Sequence, residues 1–335
     1  MFKNILILGL FLISASTLAN ERLLVVNKDG NDISILNTHT GTTLATVLTG
    51  KGPHELAITP NNQKAIVTNY GSGCGENAGR SLTVVDLQDY SSSKIDLGKY
   101  RAPHGIIAFK DNKTVAVTVE CSNALILVDI EQKKVIKAIP TNSSVSHMLV
   151  LSKDEKLAFV ANIGSGTVSV LDLPKGVLLK NIKTGSGAEG IDITPDGKLI
   201  WVSNRANDTI SVIDIKSLVI TDNIKVGQMP IRIKFHPDKP IALVSNAKSA
   251  TLSVIDTQNH NIIKQIKMTE KTIQENGNVF RNGPVPIGIT ISNNGQYAYV
   301  ANTNVDEIRM IDMKDYQVKK ILKAGKRPDG LAISL

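Results

Sequence analysis

Aromatic rings, cysteines and catalytic signatures are all scarce in this chain. Of its 335 residues 4% are aromatic, with one Trp, six Tyr and six Phe. So few rings supply no stacking platform for single-stranded nucleic acid, and they oblige any sheets to pack through Ile, Val, Leu and Ala. There is no Cys-x-x-Cys-His for covalent haem, no Gly-x-Ser-x-Gly elbow and no Walker loop. Residues 185–190 (GSGAEG) fit the dinucleotide spacing, but a strand and a Pro-Asp-Gly turn follow them. A pyrophosphate needs a helix N-terminus there, so the match is rejected. The Asp and Gly residues of NKDGNDIS (27–34) lack calcium-loop spacing. Beyond residue 19 no apolar run approaches the ~20 residues of a spanning helix, so no membrane span is expected. Length alone suggests about two domains, yet no Pro/Ser-rich linker or low-complexity tract divides the chain.

What is abundant is a repeat. Residues 187–215, GAEGIDITPDGKLIWVSNRANDTISVIDI, hold three β-branched and aliphatic runs: 190–194, 199–203 and 209–215. Pro-Asp-Gly and Asn204–Asp208 separate them, residues that supply fixed or positive φ and local side-chain bonds. A fourth run covers 219–226, and the pattern restarts at Pro230. This is a four-stranded antiparallel meander with a period of about 40 residues, the mark of a repeat architecture. The unit starts at Pro53, Pro103, Ser146, Ala188, Pro230, Pro286 and Pro328. Its second strand recurs as AIVTNY, AFVANI, IWVSNR, ALVSNA and AYVANT, and its third as LTVVD, TVSVLD, TISVID, TLSVID and EIRMID. PDGLAISL (328–335) supplies only a first strand, whereas 23–27, 32–36 and 44–48 supply a second, third and fourth. The two ends together complete one blade, which closes the ring at seven and hides its edges. The expected fold is all-β: a seven-bladed β-propeller of four-stranded antiparallel blades over residues 20–335, with the last blade closed by both termini.

These segments resemble the YVTN-repeat β-propeller family over nearly the whole mature chain, and the YncE-like periplasmic proteins most of all. The resemblance implies a ligand-binding or scaffold protein outside the cytoplasm. It also implies relatives among the propeller domains of metal- and haem-bearing reductases, whose cofactor motifs are not visible here.

Residues 1–19 read as a secretory signal peptide, with Lys3 as the charged end, Ile5–Ile13 as the apolar core and Thr17-Leu18-Ala19 before the cleavage point. The mature protein is therefore expected to be periplasmic or secreted. In that compartment Cys74 and Cys121, on corresponding turns of adjacent blades, read as a disulfide; the alternative is soft-metal ligation. The formal net charge of +8 falls mainly on outer-strand lysines, which a solvated edge explains. It leaves nucleic acid as a disfavoured but not excluded partner.

The topology also says which residues share an end. In each blade the connection into the first strand and the turn between the second and third strands lie at one end, called the top. Two enlarged loops, Gly71–Arg80 and Met268–Gly283, are on this face, where insertions in repeat proteins gather around binding sites. Of six histidines, His39, His236 and His260 fall at the opposite end, the first and last of them in solvated turns. The other three, His54, His104 and His147, are the second residues of their units, followed by Glu189 and preceded by Asp329. Imidazole with carboxylate suits zinc, iron, copper or nickel, so His54, His104, His147 and Glu189 are the candidate ligands of a divalent transition metal. A second series after the Val-x-Asn turn includes Tyr70, Glu120 and Arg205. With Arg232 these are the candidate ligand-binding residues, the arginines suited to gripping a carboxylate or phosphate.

A more local resemblance is to lactonase-type propellers, carried by Pro53-His54, Pro103-His104 and the segment Ser203-Asn204-Arg205 through Asp208-Thr209-Ile210. It implies His104 or His147 as acid/base, Glu189 as a second proton-transfer group and Arg205 as a carboxylate anchor. The leading reading is a non-enzymatic exported propeller whose top face binds a protein partner, a metal ion or a small anion. A lactonase-like hydrolase or isomerase using the same face is the alternative.

Overall fold

The computed structural model describes residues 21–269 and 283–335; the expected signal peptide and most of the enlarged loop Met268–Gly283 lie outside them. Seven four-stranded antiparallel sheets stand around a central channel. Blades 1 to 6 open with the strands Pro53–Ile58, Pro103–Ala108, Ser146–Leu151, Ala188–Ile193, Pro230–Phe235 and Pro286–Ile291, as the repeat predicts. Blade 7 joins the chain's two ends: Pro328–Ser334 pairs antiparallel with Arg22–Asn27, Arg22 facing Ser334 and Asn27 facing Pro328. Each first strand touches the first strands of the two neighbouring blades, closing the ring.

The scarcity of rings is met as expected. Between blades 3 and 4 the packed residues include Phe159, Val168, Val170, Ile191, Ile200, Val202 and Ile213. Such strands are covered on both faces and so read as continuous apolar runs. The single Trp, Trp201, is fully buried edge-on to Phe235 between blades 4 and 5. Fourth strands differ. In Val219–Lys225 only Ile224 is buried, and lysines on such an exposed edge discourage pairing with another chain.

The recurrent Val-Thr/Ser-Asn has a structural reason. Its hydroxyl residue accepts a backbone N–H from its own blade's first strand and donates to a carbonyl of the next blade. Thr68 Oγ1 accepts from Glu55 N at 3.1 Å and donates to His104 O at 2.9 Å. Ser245 Oγ does the same between Arg232 N and Ile287 O, at 3.0 and 2.8 Å. The Asn accepts from the loop entering its blade, as Asn204 Oδ1 does from Gly185 N at 2.9 Å. The motif stitches blades together by satisfying polar groups that have no ladder partner.

Two bottom-face histidines do more than sit in solvent. His236 is buried, accepts the N–H groups of Asp238 and Lys239 at Nδ1, and donates from Nε2 to Gly295 O at 2.9 Å. His260, expected to be merely solvated, instead pairs with Asp222 at 2.5 Å and abuts Trp201. His39 is exposed. The Gly71–Arg80 enlargement is a longer hairpin: strands Lys64–Gly71 and Ala78–Asp86 run on into it. Its Cys74 is disulfide-bonded to Cys121, with Cα atoms 5.3 Å apart. Both sulfurs are thereby occupied, which removes the soft-metal alternative.

Candidate functional site

One hydrogen bond, repeated in every blade, brings the two top-face series together. The residue before each first strand accepts the N–H of the residue after each Val-x-Asn turn. The bonds run Tyr70 to Gly52, Glu120 to Ala102, Ile163 to Val145, Arg205 to Gly187, Ala247 to Met229, Thr303 to Val285 and Lys28 to Arg327. The accepting residue is left-handed at Ala102, Val145, Met229 and Arg327, with φ of 53–61°. For a β-branched residue such as Val145 that conformation is strained. Asn123 Oδ1 holds it there, accepting Val145 N at 3.0 Å.

The first strands then do something the repeat alone does not announce. In each, the pairing register slips at the second and third residues, as between Pro53 and Leu56, Ala188 and Ile191, or Pro230 and Ile233. A bulge at this point re-aims side chains. Here it turns His54, His104, His147, Glu189, Ile231, Ile287 and Asp329 into a cavity of about 560 Å³ at the channel mouth. Glycine at the third position lets the strands converge: a Cβ on Gly190 would stand 2.1 Å from Ile231 O.

The polar side of the cavity is a connected network. Glu120 accepts from Tyr70 Oη at 2.8 Å through Oε2 and meets His147 Nδ1 at 2.5 Å through Oε1. The other nitrogen of His147 lies 3.5 Å from Glu189 Oε1. Glu189 accepts from Arg205 Nη1 at 2.8 Å and has Arg232 Nη1 at 3.8 Å. Lys28 pairs with Asp329 at 3.3 Å. His104 stacks on His147 with ring centroids 3.7 Å apart, and His54 packs against both His104 and Tyr70.

These neighbours set the protonation states. Burial drives the His54 imidazole down to about 4, with Lys28 adding to the shift. Burial holds His104 well below the usual range, helped by His147. Burial acts the same way on His147, but Glu120 and Glu189 outweigh it and raise its pKa. For Glu120 and Glu189 burial opposes ionisation, and hydrogen bonding from His147 reverses it and holds both carboxyls low. The arc thus carries two neutral imidazoles beside one favoured as imidazolium.

The candidate residues Tyr70, His54, His104, Glu120, His147, Glu189, Arg205 and Arg232 all line this one cavity. As donors, however, they sort differently from the expected metal set. His104, His147 and Glu120 each bring one ligand-type atom within 4.8 Å of the others. His54 points Nδ1 at Gly52 O, 2.9 Å away, and Glu189 is taken up by Arg205. The reading of the sequence also passed over Glu55, which forms a buried ion pair with Arg232 across the channel axis, between blades 1 and 5. The signal was present: Glu55 is the one acidic residue at the third position of a first strand, and Arg232 the one basic residue there.

No curated protein matches the chain. Solved structures do. A chain of Kuenenia stuttgartiensis hydrazine synthase superposes with a TM-score of 0.73 at 18% identity, covering 90% of this chain and 94% of that one. The dihydro-heme d1 dehydrogenase NirN in complex with DHE gives 0.68 at 15% identity, covering 94% and 75%. A functionally unknown protein from Desulfotomaculum acetoxidans DSM 771 gives 0.76 at 16%, covering 93% and 98%. At such identities the likeness is one of fold. The profile of the YNCE-like beta-propellers is more specific, matching residues 77–277. That match takes in more than half of the chain, from the hairpin of blade 1 beyond the last strand of blade 5, and the chain belongs to the YNCE-like beta-propeller family.

Proposed function

We propose that this protein is an exported binding module whose channel mouth takes a small amphipathic organic anion. One observation carries the reading: the cavity has a ring-lined side of paired charges and an apolar side, and Arg205 stands by the boundary between them. Arg205 has a 37% exposed side chain and, among the described residues, makes one side-chain hydrogen bond, through Nη1 to Glu189. Its remaining donors are open to a carboxylate or phosphate, which a guanidinium grips bidentately. Next in the ring come Met229, Ile231, Val285 and Ile287, which form a small apolar cluster with Ala247. A pocket with apolar walls and a few convergent polar groups is the usual form of a small-molecule site. The disulfide and the leader-like residues 1–19 support an oxidising compartment outside the cytoplasm.

The test is a titration of the mature protein with a panel of four- to ten-carbon alkyl and aryl monocarboxylates, followed by calorimetry. Saturable one-to-one binding that grows tighter with tail length, and weakens at least tenfold in Arg205→Ala, is expected. A panel without a binder, or an Arg205→Ala protein that binds unchanged, would sink the reading in favour of a protein partner. A second reading has its own support: His147 lies between two carboxylates and is raised in pKa, the setting of a general acid. Lactones and muconate-type acids test it. Turnover that disappears in His147→Ala would make the protein a hydrolase or isomerase.

A further inference from the structure

We infer that the wall of the cavity beneath the polar rim holds a divalent first-row transition metal, zinc or copper, bound by His104, Glu120 and His147. This does not rest on the organic-anion reading, because the ion would use different side chains from Arg205. Three features argue for it.

The first is the donor set. Two imidazoles and one carboxylate place their ligand atoms within 4.8 Å of one another, on three buried side chains from two adjacent blades. The ion would take the place of the proton that His147 shares with Glu120. Two histidines and a carboxylate with open positions toward a cavity are a common arrangement for a first-row ion. With both sulfurs of the chain in a disulfide, no thiolate competes.

The second is an unanswered donor–acceptor. His104 is 3% exposed, and its buried Nδ1 has no hydrogen-bond partner among the described residues. A buried polar atom left unpaired is costly, and a ligand in the cavity it lines removes the cost.

The third is the layer behind the ligands. Ligand groups are normally held by partners that fix their orientation, and loss of such a partner typically costs about 10–100-fold in affinity. Here Tyr70 holds the second oxygen of Glu120, and Glu189 stands behind the far nitrogen of His147. Arg205 holds Glu189 in turn. Glu120 also lies next to Cys121, on the single turn Glu120–Ser122, which the disulfide fastens to the neighbouring hairpin. The expected set of His54 and Glu189 with His104 and His147 is thereby narrowed: Glu189 becomes a support, and His54 a cover.

Metal-stripped mature protein titrated separately with zinc chloride and copper sulfate tests the inference. One ion per chain is expected. Affinity should fall at least about 100-fold in His104→Ala, more than a supporting group costs, and about tenfold in Tyr70→Phe. His54→Ala and the bottom-face His236→Ala should stay within a few-fold of wild type. X-ray absorption on the zinc-loaded wild type, which needs no variant to fold, should report two imidazoles and only nitrogen and oxygen neighbours. Absence of stoichiometric binding overturns the inference. So does equal binding by His104→Ala, or an absorption spectrum without imidazole. Anion binding through Arg205 would survive any of those results.

Discussion

The channel mouth has two halves built on the same positions. From blade 7 round to blade 4, the second residues of the first strands are Asp329, His54, His104, His147 and Glu189; in blades 5 and 6 they are Ile231 and Ile287. The register slip in the first strand and the hydrogen bond from the residue after the Val-x-Asn turn are the same in both. The polar half holds itself by ion pairs and hydrogen bonds, and its Glu120 corner is stapled by a disulfide. The apolar half holds by packing of Ile231, Ala247 and Val285. The contrast separates what the repeat supplies, a set of inward-aimed positions, from what function requires, a choice of chemistry at each of them. A buried ion pair reaches across the axis between the halves: Glu55 of the polar side meets Arg232 of the apolar side, which also has Glu189 at 3.8 Å.

Cutting that bond should have the largest effect. Glu55→Gln or Arg232→Met alone leaves one buried charge without its partner, at a cost of about 3–5 kcal/mol. The double variant Glu55→Met/Arg232→Met removes both charges and should recover most of that loss. Urea unfolding followed through Trp201 fluorescence measures all three. Singles that cost under about 1 kcal/mol would mean that this pair does not hold the two halves together.

Unstapling the polar half comes next. Cys74→Ser/Cys121→Ser should lose about 2–4 kcal/mol, the usual worth of a disulfide closing a loop of this length. Hydrogen exchange should quicken at residues 119–124 and stay unchanged at 230–247. Equal quickening in both segments would erase the contrast in how the halves are held.

The smallest effect is on pH dependence, and only the polar half should show it. The His54 pKa is depressed to about 4, below the ~6.5 of an unfolded chain. As pH falls the unfolded state takes up the proton first, so this contribution is complete above pH ~6.5 and is lost as pH falls toward 4. Allowing for solvent around a partly exposed ring, the loss should be about 1–2 kcal/mol. In the presence of chelator, His54→Gln should flatten the fall in Tm over that range. An Ile287→Val protein should follow wild type, and a His54→Gln profile that does the same would deny the buried, neutral state.

Much of the molecule was legible in the residues themselves. Strand starts at Pro53, Pro103, Ser146, Ala188, Pro230, Pro286 and Pro328 could be read from period and punctuation, because each turn needs its own Pro, Gly, Asn or Asp. The shared blade followed from a lone first strand at one end and three strands at the other. The pairing of Cys74 with Cys121 followed from equivalent turns on adjacent blades. Even the inward direction of the three histidines came from counting positions in the repeat.

Partnerships across the channel were not legible. Glu55 and Arg232 are 177 residues apart in the chain, and a repeat aligns equivalent positions without saying which of them meet over the axis. Whether His147 turns to Glu120 or Glu189, and whether His54 joins a donor set or covers it, depends on the bulge and on ring stacking at the scale of an ångström. Periodic short-range patterning is written in each blade, since hydrophobic burial and turn conformation act locally. Charge pairing at the mouth is decided only when seven blades close and force side chains from distant segments into one small volume with little water to share.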